Sequence, residues 1–257
     1  VPKDLVLEPP SGGFSVVAAP TRLDRPDLAR RHTLLWAIGA VGTLGFGGCA
    51  TTAAPVDGDD WHDVALPGKR KTDYRWEALP EGRVLVARAD GSASLYRKRL
   101  NRAPDALRDV EFAWWVQALP EGGDVSASDA TVAAARVLFA FGGDVSKLSP
   151  RTQTMFELAR TLSGEAPPYA TLSYVWDATA PVGRVVVHPR TDRMRKIVVE
   201  SGRERLRQWR RYRRSLAADY RLAFGEAPGP LLAVAVMTDG DNTRSRLLTR
   251  YRDISWG

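Results

Sequence analysis

From residue 83 onward the chain is a succession of short apolar runs, each closed by a turn signal, and that pattern confines it to a mainly β architecture. Runs 83–88 and 93–97 flank Asp90-Gly91, a dipeptide that predicts a hairpin. Residues 110–117 form an aromatic-rich strand. Residues 131–141 read as helix or strand, and the closing Val137-Leu138-Phe139-Ala140-Phe141 favours strand. Further strands are expected at 171–176, 184–188 and 195–200. Residues 231–237 are apolar throughout, as a central strand requires, and 251–256 make the last strand. A short helix is predicted at 150–162, with Ser149 as its cap, Pro150 in its first position and Met155, Leu158 and Leu162 on one face. A long amphipathic helix is predicted at 203–224. Leu206, Trp209, Leu216, Tyr220 and Ala223 recur there at helical spacing, the opposite face is nearly all Arg, and Gly225 ends it. Many short strands with two helices predict a β-sandwich with helical additions.

The first part of the chain reads as an address. Cys49 is the single cysteine, and it follows a basic pair, Arg30-Arg31, and the apolar run 34–44. A membrane-spanning helix needs roughly 20 apolar residues, whereas a signal-peptide core needs roughly 7–15 behind a charged flank. Phe46-Gly47-Gly48-Cys49 resembles the lipobox of bacterial lipoproteins, although Phe stands where Leu is usual. This resemblance implies an excised segment 1–48 (a signal peptide with an extended N-terminal region), a lipidated tether 49–72 and a β-sandwich domain 73–257. With Ala50 after the acylated Cys49, it also implies an outer-membrane lipoprotein facing the periplasm. Arg30-Arg31 leaves the twin-arginine route open beside the general one. With Cys49 acylated no disulfide forms, so the core alone must hold the fold.

Charge narrows the partners. The chain carries +7 formally, and residues 184–221 hold thirteen Lys/Arg against four Asp/Glu. An exported protein rarely meets nucleic acid, so no nucleic-acid partner is expected. Anionic lipid head groups, lipopolysaccharide phosphates and acidic glycans fit the charge better. Arg207, Arg210, Arg211 and Arg214 are the residues expected to face such a surface; a merely solvated helix face is the other reading.

Candidate sites are few. Asp239, Asp241 and Asn242 offer hard oxygen ligands at close spacing, as a structural Ca²⁺ would need, with Asp129 as a distant ligand. An EF-hand is excluded, because its twelfth position is Arg250. The alternative is an Asx turn in which these side chains bond their own backbone. No other cofactor is expected: His62 and His188 are too far apart in sequence and lack Cys companions for a zinc site. Trp114, Trp115 and Trp176, with Trp76, are candidates for stacking on sugar rings. In a strand Trp114 and Trp115 point to opposite faces, so one of them lies outside or under a cover. Glu111 and Asp109 share a strand face and are the carboxylate pair that a polysaccharide hydrolase would use.

The order of several short blocks along the chain resembles the domain of unknown function 3047 family of bacterial envelope proteins. They are Ser92-Ala93-Ser94, Phe112-Ala113-Trp114-Trp115-Val116, Ala135-Arg136-Val137-Leu138-Phe139, Tyr174-Val175-Trp176, Asp219-Tyr220 with Phe224-Gly225-Glu226, and Met237-Thr238-Asp239-Gly240-Asp241-Asn242-Thr243. The resemblance implies a jelly-roll-like β-sandwich, similar to carbohydrate-binding modules, in an exported protein. The family has no established activity and supplies no catalytic residues. The sequence is therefore read as a non-enzymatic envelope lipoprotein that binds a glycan or another envelope component. A hydrolase using Glu111 with Asp109 or Asp241, and an assembly partner using the Arg stripe, are the alternatives.

Overall fold

The computed structural model describes residues 61–80, 82–120 and 133–256. Among them, twelve strands form two sheets. The seven-stranded sheet runs in the order β1 (His62–Ala65), β4 (Ser94–Arg102), β11 (Leu231–Met237), β6 (Arg136–Phe141), β7 (Ala170–Asp177), β9 (Thr191–Ser201), β8 (Val185–His188). The five-stranded sheet runs β10 (Arg210–Ser215), β5 (Asp109–Val116), β12 (Arg246–Trp256), β3 (Gly82–Asp90), β2 (Asp73–Leu79). Neighbours are antiparallel except β7 and β9, which are parallel. Two helices complete the fold, α1 (Pro150–Ser163) and α2 (Leu216–Phe224). The architecture is the mainly β sandwich that the sequence pattern predicts, and β11 is an interior strand as expected. No helix of the described residues is long and apolar enough to cross a membrane.

The core lies between the sheets and is aromatic at its centre. Period-two alternation sends Phe112 and Trp114 inward from β5 and Tyr174 and Trp176 inward from β7. Phe112 stacks on Tyr174 with ring centroids 5.5 Å apart, and Trp114 meets Trp176 at 6.3 Å. Burying a large apolar side chain stabilises by about 1.5–3 kcal/mol, so this centre is a main source of cohesion. One end is closed by α2, whose Tyr220 packs on Phe141 at 4.6 Å.

The structure corrects two expectations. Asp90-Gly91 does not make a hairpin, because β3 lies in one sheet and β4 in the other. It makes a corner instead: Gly91 takes φ +52° and its N–H donates to Ser245 O, while Ser92 Oγ accepts from Asp90 N. The predicted helix over 203–224 is helical only from Leu216 to Phe224. Before it, Arg207 adopts a left-handed turn whose N–H donates to Val116 O, and residues 210–215 then pair with β5 as an edge strand. Sheet pairing and inward packing of Tyr212 on Phe112 (5.2 Å) override the helical spacing of Trp209, Tyr212 and Leu216. Finally, α1 forms where expected, and Ser149 Oγ accepts from Thr152 N at 3.3 Å. Yet its apolar face is outside: Met155, Leu158 and Leu162 are 40%, 58% and 77% exposed.

Candidate functional site

On the outer face of the seven-stranded sheet an open cleft of about 980 Å³ crosses the middle strands. Its concavity is a matter of side-chain size. β11 turns Leu231, Val234 and Val236 into the core and leaves Ala233, Ala235 and Met237 outside. On β6 the outward residues are Arg136, Leu138 and Ala140. Small side chains on interior strands make a trough, and Met155, Phe156 and Ala159 of α1 stand at its wall. At one end Gly229 lets the chain approach Gly142; a Cβ on Gly229 would lie 2.0 Å from Gly142 O, so no larger residue fits.

Strand register orders the floor. One transverse row reads Arg97, Ala235, Leu138, Ser173, Lys196, on β4, β11, β6, β7 and β9 respectively. Four strand spacings separate its ends, about 19 Å. Among the described residues, six Lys/Arg and three Asp/Glu line the cleft. Some of these charges are paired: Arg136 Nη2 donates to Asp239 Oδ2 at 3.0 Å, and Arg97 donates to Glu165 at 3.1 Å. Arg136 and Lys196 are only 8% and 3% exposed, so their charge sits in poorly hydrated surroundings. There it acts over longer range than a surface charge does.

His188 reports that field. Burial, first, and then the nearby charges of Lys196, Arg136 and Arg190 push its pKa down to about 4. Its Nδ1 accepts a hydrogen bond from Arg190 N at 3.2 Å, which the protonated ring could not do. His188 is thus a neutral side chain beside a cationic floor.

The residues singled out in the sequence fall elsewhere or do other work. Trp114 and Trp176 are 0% and 1% exposed, so neither offers a face to a ligand; Trp176 Nε1 donates to Gly202 O. Trp115 is the outward member of its pair, as strand alternation demands, but Arg250 lies over its ring at 4.6 Å. Trp76 is covered in the same way by Arg83 at 4.5 Å. Asp109 and Glu111 do share a face of β5. Arg213 reaches both, at 2.8 and 3.8 Å. The Arg stripe is not one helix face. Arg210 donates to Glu200 at 2.9 Å and Arg211 to Asp253 at 2.6 Å. Arg214 makes a two-pronged contact with Asp219, at 2.8 and 2.7 Å, where Tyr174 Oη also donates at 2.7 Å. Arg207 is exposed on its turn.

The Asp-rich loop lies at the rim of the cleft, and protein cations engage its carboxylates. Arg136 holds Asp239, and Lys69 bridges Asp241 and Asn242. Asp239 Oδ1 also accepts from Asp241 N at 3.2 Å, which is the Asx turn. Among the described residues no three His, Cys, Asp or Glu side chains converge as metal ligands would. Cys49 and Asp129 lie outside the described residues. The cleft residues Lys196, Arg136, Ser173 and His188 were not singled out by pattern. The available signal was the small-residue alternation Ala233, Ala235 in an otherwise bulky strand.

A family model described as "Protein of unknown function (DUF3047)" matches residues 59–255, and the chain belongs to that family. No curated protein matches the chain. Among solved structures, the xyloglucanase domain of NopAA, a type three effector from Sinorhizobium fredii, in complex with cellobiose, is similar over 77% of this chain and 92% of that one. The TM-score is 0.41 and the identity 7%.

Proposed function

We propose that the protein is a non-enzymatic binding module of the cell envelope, and that it holds an anionic ligand in the cleft of the seven-stranded sheet. One observation carries this reading: a 980 Å³ trough whose lining, among the described residues, has twice as many cations as carboxylates, with Lys196 and Arg136 buried in its floor. A ligand pocket is concave and mostly apolar, with a few polar groups that fix orientation, and this trough meets that description. Catalysis by Glu111 and Asp109 has no support, because Arg213 binds both on an exposed face. Stacking of a neutral sugar on Trp114 or Trp176 has none either, because both are core residues.

The address at Cys49 supplies the location in this reading. Acylation there tethers the domain to the outer membrane, facing the periplasm, close to anionic lipids and acidic glycans. Labelling with a fatty acid should mark the protein and fail with Cys49→Ser.

Thermal unfolding of the whole chain against anionic and neutral envelope compounds tests the binding reading. A ligand at 100 times its Kd adds about 2.7 kcal/mol, or roughly 5–10 °C in Tm at this size. The reading expects such a shift from anionic compounds and its loss in Lys196→Gln. Equal shifts from neutral analogues would overturn it.

A further inference from the structure

Resting on the cleft reading above, we propose that the ligand is an acyl amphiphile: an anionic head set against Lys196 and Arg136, and a hydrocarbon chain laid over β6, β11 and β4. The floor changes character across the sheet. On the β8–β9–β7 side it presents His188, Lys196, Ser173 and Thr171. From the next strand on it presents Leu138 and Ala140, then Ala235 and Ala233, then Leu95. That is a polar end and an apolar body in one trough, closed at the far side by the Arg97–Glu165 ion pair, the layout of a head and a tail.

A sugar is poorly served by the apolar half. Its hydroxyls would lie on methyl groups, above backbone groups already paired within interior strands, and would lose their hydrogen bonds to water without replacement. Among the described residues the lining contains no Trp, and the ring of Tyr169 is taken by Arg193 at 5.3 Å. A hydrocarbon chain needs only apolar contact. The apolar surface also continues out of the cleft, from Met155 at the wall to the exposed Leu158 and Leu162 on the same helix. A chain entering from a membrane or a micelle finds an apolar path there.

The same chemistry belongs to a free long-chain carboxylate and to a single-chain anionic phospholipid. Calorimetric titration of the full chain with octanoate, decanoate, dodecanoate and hexadecanoate, each below its critical micelle concentration, separates tail from head. Palmitoyl lysophosphatidylglycerol and an oligogalacturonate complete the panel. Burial of each methylene should tighten binding about four-fold until the trough is filled. Lys196→Gln should weaken hexadecanoate at least about ten-fold, as loss of a charge-assisted contact does. Tighter binding of the lysolipid than of hexadecanoate identifies a phosphodiester head, and the reverse a carboxylate; both support the proposal.

A flat response to chain length overturns the acyl inference. If oligogalacturonate then binds the wild type and not Lys196→Gln, the cleft reading survives without it. Chain-length dependence that is untouched by Lys196→Gln and by Leu138→Gln places the chain outside the cleft and overturns both. The wild-type series needs no variant to fold, so the inference remains exposed to refutation whatever Lys196→Gln does to stability.

Discussion

On the outer face of the five-stranded sheet, Arg250 lies over Trp115 at 4.6 Å and Arg252 over Trp209 at 4.1 Å, and Val84 and Val86 beside them are fully buried. On the outer face of the seven-stranded sheet, the central positions are Ala140, Ala233 and Ala235, and the face stays open. Both faces belong to one Arg-rich chain, and both turn basic side chains outward. On the first, guanidinium groups stack on indoles or join carboxylates, as Arg213 does with Asp109 and Arg211 with Asp253. On the second, Lys196 and Arg136 border the trough, with Arg136 held by Asp239 at its rim. What a basic residue does here follows from its neighbours' size: large aromatic partners convert it into a cover, and small ones leave it at the edge of an open trough.

If that contrast is right, substitutions around the five-stranded sheet cost stability and spare binding, and those in the trough do the reverse. The largest effect is expected at Asp219, which receives Arg214 and Tyr174. Asp219→Ala strands a partly buried guanidinium and a buried hydroxyl, and should cost about 3–5 kcal/mol. Tm should fall by on the order of 10 °C, with unchanged ligand affinity once folded protein is compared. Trp115→Ala removes the platform under Arg250 and should cost about 1–2 kcal/mol by denaturant unfolding, again without loss of binding. A loss of binding there would break the contrast.

In the trough, Ala235→Leu adds volume where the floor is open. Ligand affinity should drop about ten-fold, with Tm changed by only about 1–2 °C, since three added carbons overpack the site once the ligand is bound, at a cost of about 1–3 kcal/mol. Titration of the variant beside the wild type decides it. The smallest effect concerns His188. Its folded pKa of about 4 lies below the ordinary value of 6.5, so between those pH values the unfolded chain binds a proton and the folded one does not. Its neutral state therefore stabilises the fold above pH 6.5, and this contribution is lost as pH falls towards 4. The ring is only half-buried, and screening limits the effect to about 1 kcal/mol. Between pH 7 and 4.5, Tm of His188→Gln should fall roughly 2–4 °C less than that of the wild type.

The sequence makes one kind of information plain and conceals another. Alternation in β5, β7 and β11 is local, and so is the Ser149-Pro150 start of α1; each is visible because neighbouring residues in sequence create it. β10 was hidden because Trp209, Tyr212 and Leu216 satisfy a helical spacing, and only pairing with β5 and the packing of Tyr212 on Phe112 select the strand. Trp114 and Trp115 correctly split between two faces, but nothing nearby in sequence announces that Arg250 will cover the outer one. The cleft is non-local in the same way. Arg97, Ala235, Leu138, Ser173 and Lys196 come from five strands and become one row only through register. Lys196 reads in sequence like any strand lysine; its burial is a property of the sheet.

The most direct test compares two cations of one chain. Thermal unfolding of the wild type, Lys196→Gln and Arg211→Gln would be followed with and without hexadecanoate. The account predicts a ligand-induced rise in Tm for the wild type and for Arg211→Gln, and its loss in Lys196→Gln. If Arg211→Gln loses the rise while Lys196→Gln keeps it, the ligand sits on the covered face, and the contrast between the two faces is wrong.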